Sequence, residues 1–166
     1  MYVYMLPSAS FSSAWSALPY LKLANQEETL YIFENPTPID VSPDDIHIYE
    51  AIDSTGTLTG GGYVVLNNIP VTEEGRAEFE NRFQNRARMV EQEPGFIGIR
   101  VLRPLNGDTY VIMTIWSEES YFKKWQESQA YSHAHRKRGT SEGIDQQQPG
   151  IFPRPSFVTA YGVVLE

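Results

Sequence analysis

The sequence predicts an α+β protein in which a βαββαβ domain, residues 61–166, follows a smaller N-terminal region, residues 1–60. Three observations predict it. Asn106-Gly107 separates two runs of β-forming residues, which is a strong short-range hairpin signal. Phe79, Phe83, Ala87 and Val90 recur at helical spacing ahead of that hairpin. A second helical segment, carrying Tyr121, Phe122 and Trp125, separates the hairpin from a final β-type run.

In the N-terminal region, Tyr2–Leu6, Thr29–Phe33 and Ile46–Ile52 read as short strands. Ser13–Leu23 between the first two is weakly helical and is interrupted by Pro19. Asp53–Gly62 is rich in Gly, Ser and Thr and reads as a linker or long loop. A stretch of about 60 residues buries too little surface to be comfortable alone, so this region is expected to dock on the rest.

Downstream, Tyr63–Asn68 reads as a buried strand. Thr72 can cap a helix, and Glu73 and Glu74 complement the positive end of its dipole. Pro94-Gly95 ends that helix. Phe96–Arg103 and Thr109–Trp116 form the hairpin strands, and Ser117 with Glu118 and Glu119 opens the second helix, which runs to about Tyr131. Phe157–Leu165 is the last strand. The order is that of the ferredoxin-like plan. Phe157, Tyr161 and Val163 point to one side of the last strand, and Val158, Ala160 and Val164 to the other. Neither side is polar, so a second sheet is expected over the face that the helices leave open. A partner subunit could provide it, and the N-terminal region is the favoured source.

The composition excludes several functions. The 166 residues carry a net charge of −8 and no cysteine. That balance does not suit a nucleic-acid binder, which needs a basic surface, or attraction to anionic membranes. The absence of cysteine removes disulfides, thiolate metal sites and cysteine nucleophiles. No stretch has the length of a membrane span and the start lacks the pattern of a secretory signal, so the expected location is the cytoplasm. The sequence contains no P-loop, dinucleotide fingerprint or nucleophile elbow. Aromatic residues make up 13%, which suits a flat ligand and a β-rich core equally.

Few residues are left to carry chemistry. His47 lies in an alternating run and reads as structural or surface. His133 and His135 close the second helix before Arg136-Lys137-Arg138. These residues fit a polar helix end whose cations complement the dipole. They fit equally a single imidazole on an iron porphyrin, with nearby cations for its propionates; one protein ligand suffices because the porphyrin supplies four nitrogens. Asn67 is a polar residue inside an apolar strand, either hydrogen-bonded structurally or kept for a ligand. Trp116 ends its strand and reads as core when taken alone.

Four segments together resemble a known family: V-V-L-N-N-I-P-V-T-E-E-G at 64–75, E-P-G-F at 93–96, T-I-W-S-E-E-S-Y-F-K-K-W at 114–125 and S-Q-A-Y-S-H-A-H at 128–135. The region Tyr63–Leu165 resembles the IsdG-type heme-degrading monooxygenases, including the two-part HmoB-like proteins, within the antibiotic biosynthesis monooxygenase superfamily. That resemblance implies a dimeric α+β barrel type of fold; the N-terminal region lies outside the family motif, and a pseudo-dimeric monomer that it closes is favoured over a homodimer. It implies heme as substrate and cofactor, with O2 and electrons from an external donor. His135 matches the iron ligand, with His133 as its near neighbour. Asn67 matches the amide on the opposite side of the ring, Trp116 matches the tryptophan that presses on the porphyrin, and Arg138 is placed to meet a propionate. Asn68 stands where some members carry a basic residue. Two other functions fit the same residues: a heme-binding carrier or sensor that does not degrade heme, and a cofactor-free quinol-type monooxygenase.

Overall fold

The computed structural model describes residues 1–39, 45–84, 89–136 and 149–165. Its eight strands are β1 (Tyr2–Pro7), β2 (Tyr20–Ala24), β3 (Thr29–Asn35), β4 (His47–Gly56), β5 (Tyr63–Pro70), β6 (Phe96–Pro104), β7 (Thr109–Trp116) and β8 (Phe157–Val163). The helices are α1 (Arg76–Gln84) and α2 (Glu119–Arg136), and the side chains of α2 are described through Ser128. The strands close into a barrel in the order β1-β3-β2-β8-β5-β7-β6-β4, and every pairing is antiparallel.

The C-terminal strands lie in the order β8-β5-β7-β6, fourth-first-third-second in their own sequence, as the ferredoxin-like plan requires. The N-terminal strands lie in the order β4-β1-β3-β2, which is the same permutation. The chain therefore builds two sheets of one topology and joins them edge to edge, so that each covers the inner face of the other. The final strand finds cover over its second half only, and Phe157 and Val158 stay exposed. Tyr161 and Val163 face a barrel interior packed by Val3, Leu23, Ile32, Leu66 and Met113, while Ala160 faces outward under α2.

The two seams differ in length. β4 runs along β6 from Tyr49 opposite Pro104 to Gly56 opposite Gly98. Across that seam Arg103 reaches Glu50 at 2.9 Å, and the buried Arg100 reaches past it to Glu34 of β3 at 3.2 Å. β2 meets β8 only at Leu23 opposite Val163 and Ala24 opposite Gly162. Beyond that point the strands part, and two side-chain bridges span the gap: Asn25 Nδ2 donates to the Ala160 carbonyl at 3.1 Å, and the Tyr161 hydroxyl donates to Glu28 at 2.6 Å.

Two N-terminal expectations are corrected. Tyr20–Ala24, within the segment expected to be weakly helical, is strand β2; Leu21 and Leu23 point into the barrel while their neighbours stay half-exposed. Only short 3-10 turns at Ser8–Ser10 and Ser13–Trp15 precede it. Asp53–Gly56, read as the start of a linker, continues β4, because β6 supplies its pairing partners and Arg100 donates to the Thr55 carbonyl. Gly56 ends the strand at φ +73°, where a Cβ would lie 2.1 Å from the Ile97 carbonyl oxygen.

In the C-terminal half, Thr72 caps the turn into α1 by accepting from the Gly75 N–H at 3.1 Å. Phe79 packs inward against Tyr110. The expected apolar stripe does not stay on one helix. Val90 sits in a separate 3-10 turn and packs beside Trp116 under α2, and Ala87 lies outside the described residues. Gly95 takes φ +80° and abuts the Tyr121 ring so closely that a Cβ would lie 2.2 Å from it. The turn into β6 is thereby set against the first turn of α2.

Candidate functional site

Residues alternate across β5. Val64 and Leu66 enter the barrel interior, so Val65, Asn67 and Ile69 face outward towards the helices. Two apolar clusters form on that outer face. One lies under α2, around Val65, Ile99, Trp116 and Phe122; the other lies under α1, around Val71, Phe79 and Tyr110. Asn67 belongs to neither. Its cross-strand neighbours are Ile112 on β7 and Val158 on β8, and Val158 is 56% exposed. A strip of sheet between the two helices is therefore open and apolar apart from one amide.

Asn67 and Asn68 are adjacent and face opposite ways. Asn68 lies on the interior side, where its Nδ2 donates to the Leu66 and Phe157 carbonyls at 3.2 Å each and to the Thr159 hydroxyl at 3.3 Å. Asn67 is half-buried, and its amide makes no hydrogen bond among the described residues. A buried or half-buried amide without a protein partner costs free energy unless solvent or a ligand satisfies it. Asn68 is thus a structural amide, and Asn67 is an available one.

Trp116 lies on the same face as Asn67, four residues along β5 by register, roughly 13 Å away at the strand rise. It is fully enclosed by Phe96, Phe122 and Trp125, with ring centroids 6.2, 5.9 and 5.9 Å away, and its Nε1 donates to the Thr114 hydroxyl at 3.0 Å. Trp125 completes this aromatic group from α2, but its own Nε1 is buried without a hydrogen-bond partner. The sequence places Trp125 in the core and gives no sign of this unsatisfied donor.

His133 and His135 fall within the last turns of α2. Their side chains, and all of Arg138, lie outside the described residues. His47 is exposed at the start of β4, far from this face, on the rim of a cavity into the barrel. Among the described residues no group of three or more His, Asp or Glu could hold a bare metal ion, and no helix is long and apolar enough to cross a membrane.

The charged groups near the site serve to hold α1. Arg103 donates to both Glu80 oxygens, at 2.6 and 3.0 Å, and the Tyr110 hydroxyl also donates to Glu80. The Arg103 hydrogen bonds hold the Glu80 carboxyl below the usual carboxylate range, and Tyr110 reinforces this against the opposing effect of burial. Tyr63 at the start of β5 donates to Glu119 of α2 at 3.4 Å. Both helices are therefore pinned to the sheet on either side of the open strip.

Residues 62–137 match the antibiotic biosynthesis monooxygenase family. The chain is 37% identical over 83 residues to a mycobilin-producing heme oxygenase of Mycobacterium tuberculosis, which covers 48% of this chain and 79% of that protein. It is 33% identical over 84 residues to a heme-degrading monooxygenase of Halalkalibacterium halodurans, covering 49% of this chain and 72% of that one. Two solved structures share the fold along nearly the whole chain. One, described as a major regulator of staphylococcal pathogenesis, has a TM-score of 0.78 at 15% identity, covering 99% of this chain and all of that one. The other is the heme-degrading enzyme LmHde of Listeria monocytogenes, with a TM-score of 0.63 at 18% identity, covering 98% and 99%. With this strand order and these relatives, the chain belongs to the antibiotic biosynthesis monooxygenase family and, within it, to the IsdG-type proteins.

Proposed function

We propose that the protein binds heme on the open outer strip of its C-terminal sheet and cleaves the porphyrin oxidatively, using O2 and electrons from an external donor. The observation that carries this reading is the unpartnered Asn67 amide on an apolar, partly exposed strip between two pinned helices. The strip suits a flat apolar ligand: Ile112 and Val158 flank the amide, and Val158 is held open to solvent. The named activities of the relatives supply the chemistry. Bound heme supplies the iron that activates dioxygen and is itself the molecule oxidised.

The chain's own residues take four roles in this reading. The His135 imidazole, carried on the last turns of α2, would hold the heme iron. The Arg138 guanidinium meets a propionate by a charge-assisted hydrogen bond. The Asn67 amide would supply a preorganised hydrogen-bond donor to charge that develops during the oxidation. The Trp116 ring limits how flat the porphyrin can lie, and contact from the strip requires the Phe122 and Trp125 side chains above it to shift. The sequence has no nucleotide-binding fingerprint, so an external reductant delivers the electrons. Closure of the barrel within one chain supports a monomer with one heme site.

A spectroscopic heme titration of wild type and His135→Ala, followed by ascorbate in air, tests this. The expected result is a saturable Soret band that needs His135 and then bleaches with release of iron. Asn67→Ala should keep the band and bleach at least about tenfold more slowly. A band stable to ascorbate would make the protein a carrier, and no band would return it to the metal-free branch of its family.

A further inference from the structure

Where β2 and β8 part, the barrel interior opens into a cavity of about 510 Å³. It lies on the inner face of the sheet, opposite the strip that holds Asn67. Its inner wall is apolar, with Met5, Leu30 and Leu66. That volume is in the range of small-molecule sites.

Polar groups are concentrated in this cavity. Tyr49 lines it while only 6% exposed, and its hydroxyl has no hydrogen-bond partner among the described residues. Burial pushes its pKa up to about 12, so it stays a neutral donor. Tyr161, by contrast, is committed to Glu28. At the rim stand the carboxylates of Glu28 and Asp45, neither of which is ion-paired among the described residues, whereas Asp108 is neutralised by Arg154 at 2.8 Å. Among the described residues, His47 is the one basic side chain lining the cavity.

We propose that this cavity is a second ligand site, separate from the heme strip, which takes a small cationic amine with a flat apolar body. The body would lie against Leu30 and Leu66, a polar atom would meet the Tyr49 hydroxyl, and the ammonium would face Glu28 and Asp45. The acidic rim disfavours an anion such as a propionate-bearing porphyrin, so the charge of the rim separates this ligand from heme.

The test is calorimetric titration of the full chain with tyramine and, in parallel, with 3-(4-hydroxyphenyl)propionate, which has the same ring and a carboxylate in place of the ammonium. Tyramine should bind saturably at one site, and the acid at least about tenfold more weakly. Glu28→Gln should narrow that gap. Tyr49→Phe, a change small enough to keep the fold as checked by its melting curve, should weaken tyramine by roughly fivefold. Heme titrated in the presence of saturating tyramine should bind as it does alone. Failure of tyramine to bind, equal binding of the acid, or indifference to both substitutions would overturn the proposal. Competition between tyramine and heme would place both ligands at one site and also overturn it. None of these outcomes bears on whether heme is degraded.

Discussion

The two halves of the barrel share one strand order and cover their outer faces by different means. Between β5 and β6 the C-terminal half places α1, and between β7 and β8 it places α2. Between β1 and β2 the N-terminal half has only two 3-10 turns, and it seals its outer face with aromatic rings. Phe11 stacks on Tyr31 at 4.0 Å, Trp15 on Phe33 at 5.1 Å, and Tyr4 on Phe33 at 4.9 Å. The Tyr4 hydroxyl accepts from the Ile39 N–H at 2.6 Å and so fastens the next connection down. Stacked rings over a sheet leave a closed surface, whereas two helices side by side leave a strip between them. The available amide lies in the half with helices, and the half without them serves to close the barrel.

The largest test of this division is removal of the closing half. A chain of residues 57–166 exposes the inner face with Val64, Leu66, Val111, Met113 and Tyr161, and should be insoluble or pair with a second copy in sedimentation. A stable, folded monomer of that fragment would break the comparison. Next in size is Phe33→Ala, which should cost about 3–5 kcal/mol in denaturant unfolding yet leave the heme titration midpoint unchanged. Trp116→Ala should cost a similar amount and also depress turnover, since Trp116 is buried in the half that carries the strip.

The adjacent asparagines sharpen the comparison within one strand. Asn68→Ala removes an amide that donates to three interior acceptors, and it should cost about 1–3 kcal/mol. Asn67→Ala should change stability by less than about 0.5 kcal/mol, so any loss of turnover there belongs to chemistry. The smallest effect concerns pH. Glu80 binds its proton more weakly in the folded protein than in the unfolded chain, because Arg103 stabilises its carboxylate. Its contribution to stability is complete above the ordinary value of 4.5 and is lost as pH falls through the depressed folded value. Glu80→Gln should flatten the acid limb of the melting temperature below that point while leaving the strip intact. An unchanged acid limb would remove Arg103 and Glu80 from the pinning of α1.

The sequence made the C-terminal half readable because its signals are local. The Thr72 cap, the Asn106-Gly107 turn and the alternation of β5 each act within a few residues. β2 escaped reading because its stability comes from pairing with β3 and a short stretch of β8, and the serines and proline ahead of it obscure a two-leucine alternation. The polar end of β4 escaped for a similar reason: Arg100, 45 positions away from Thr55, satisfies it. Asn67 stood out as a polar residue in an apolar strand, but only the structure separates it from Asn68. Neither the buried Trp125 N–H nor the cavity behind Tyr49 has a local signal, since both depend on residues brought together from distant parts of the chain. The side chain of His135 and the whole of Arg138 lie outside the described residues.

The repeated strand order, closed within a single chain, also bears on how the protein responds to dilution. A barrel made by two chains opens when its subunits separate, so its melting temperature and its site occupancy fall with concentration. Here the halves are tethered by the short segment between β4 and β5, and closure is an intramolecular event at a fixed effective concentration. Barrel integrity is therefore independent of how much protein is present. Among the described residues one half of the barrel bears helices, so each barrel offers one outer strip between helices.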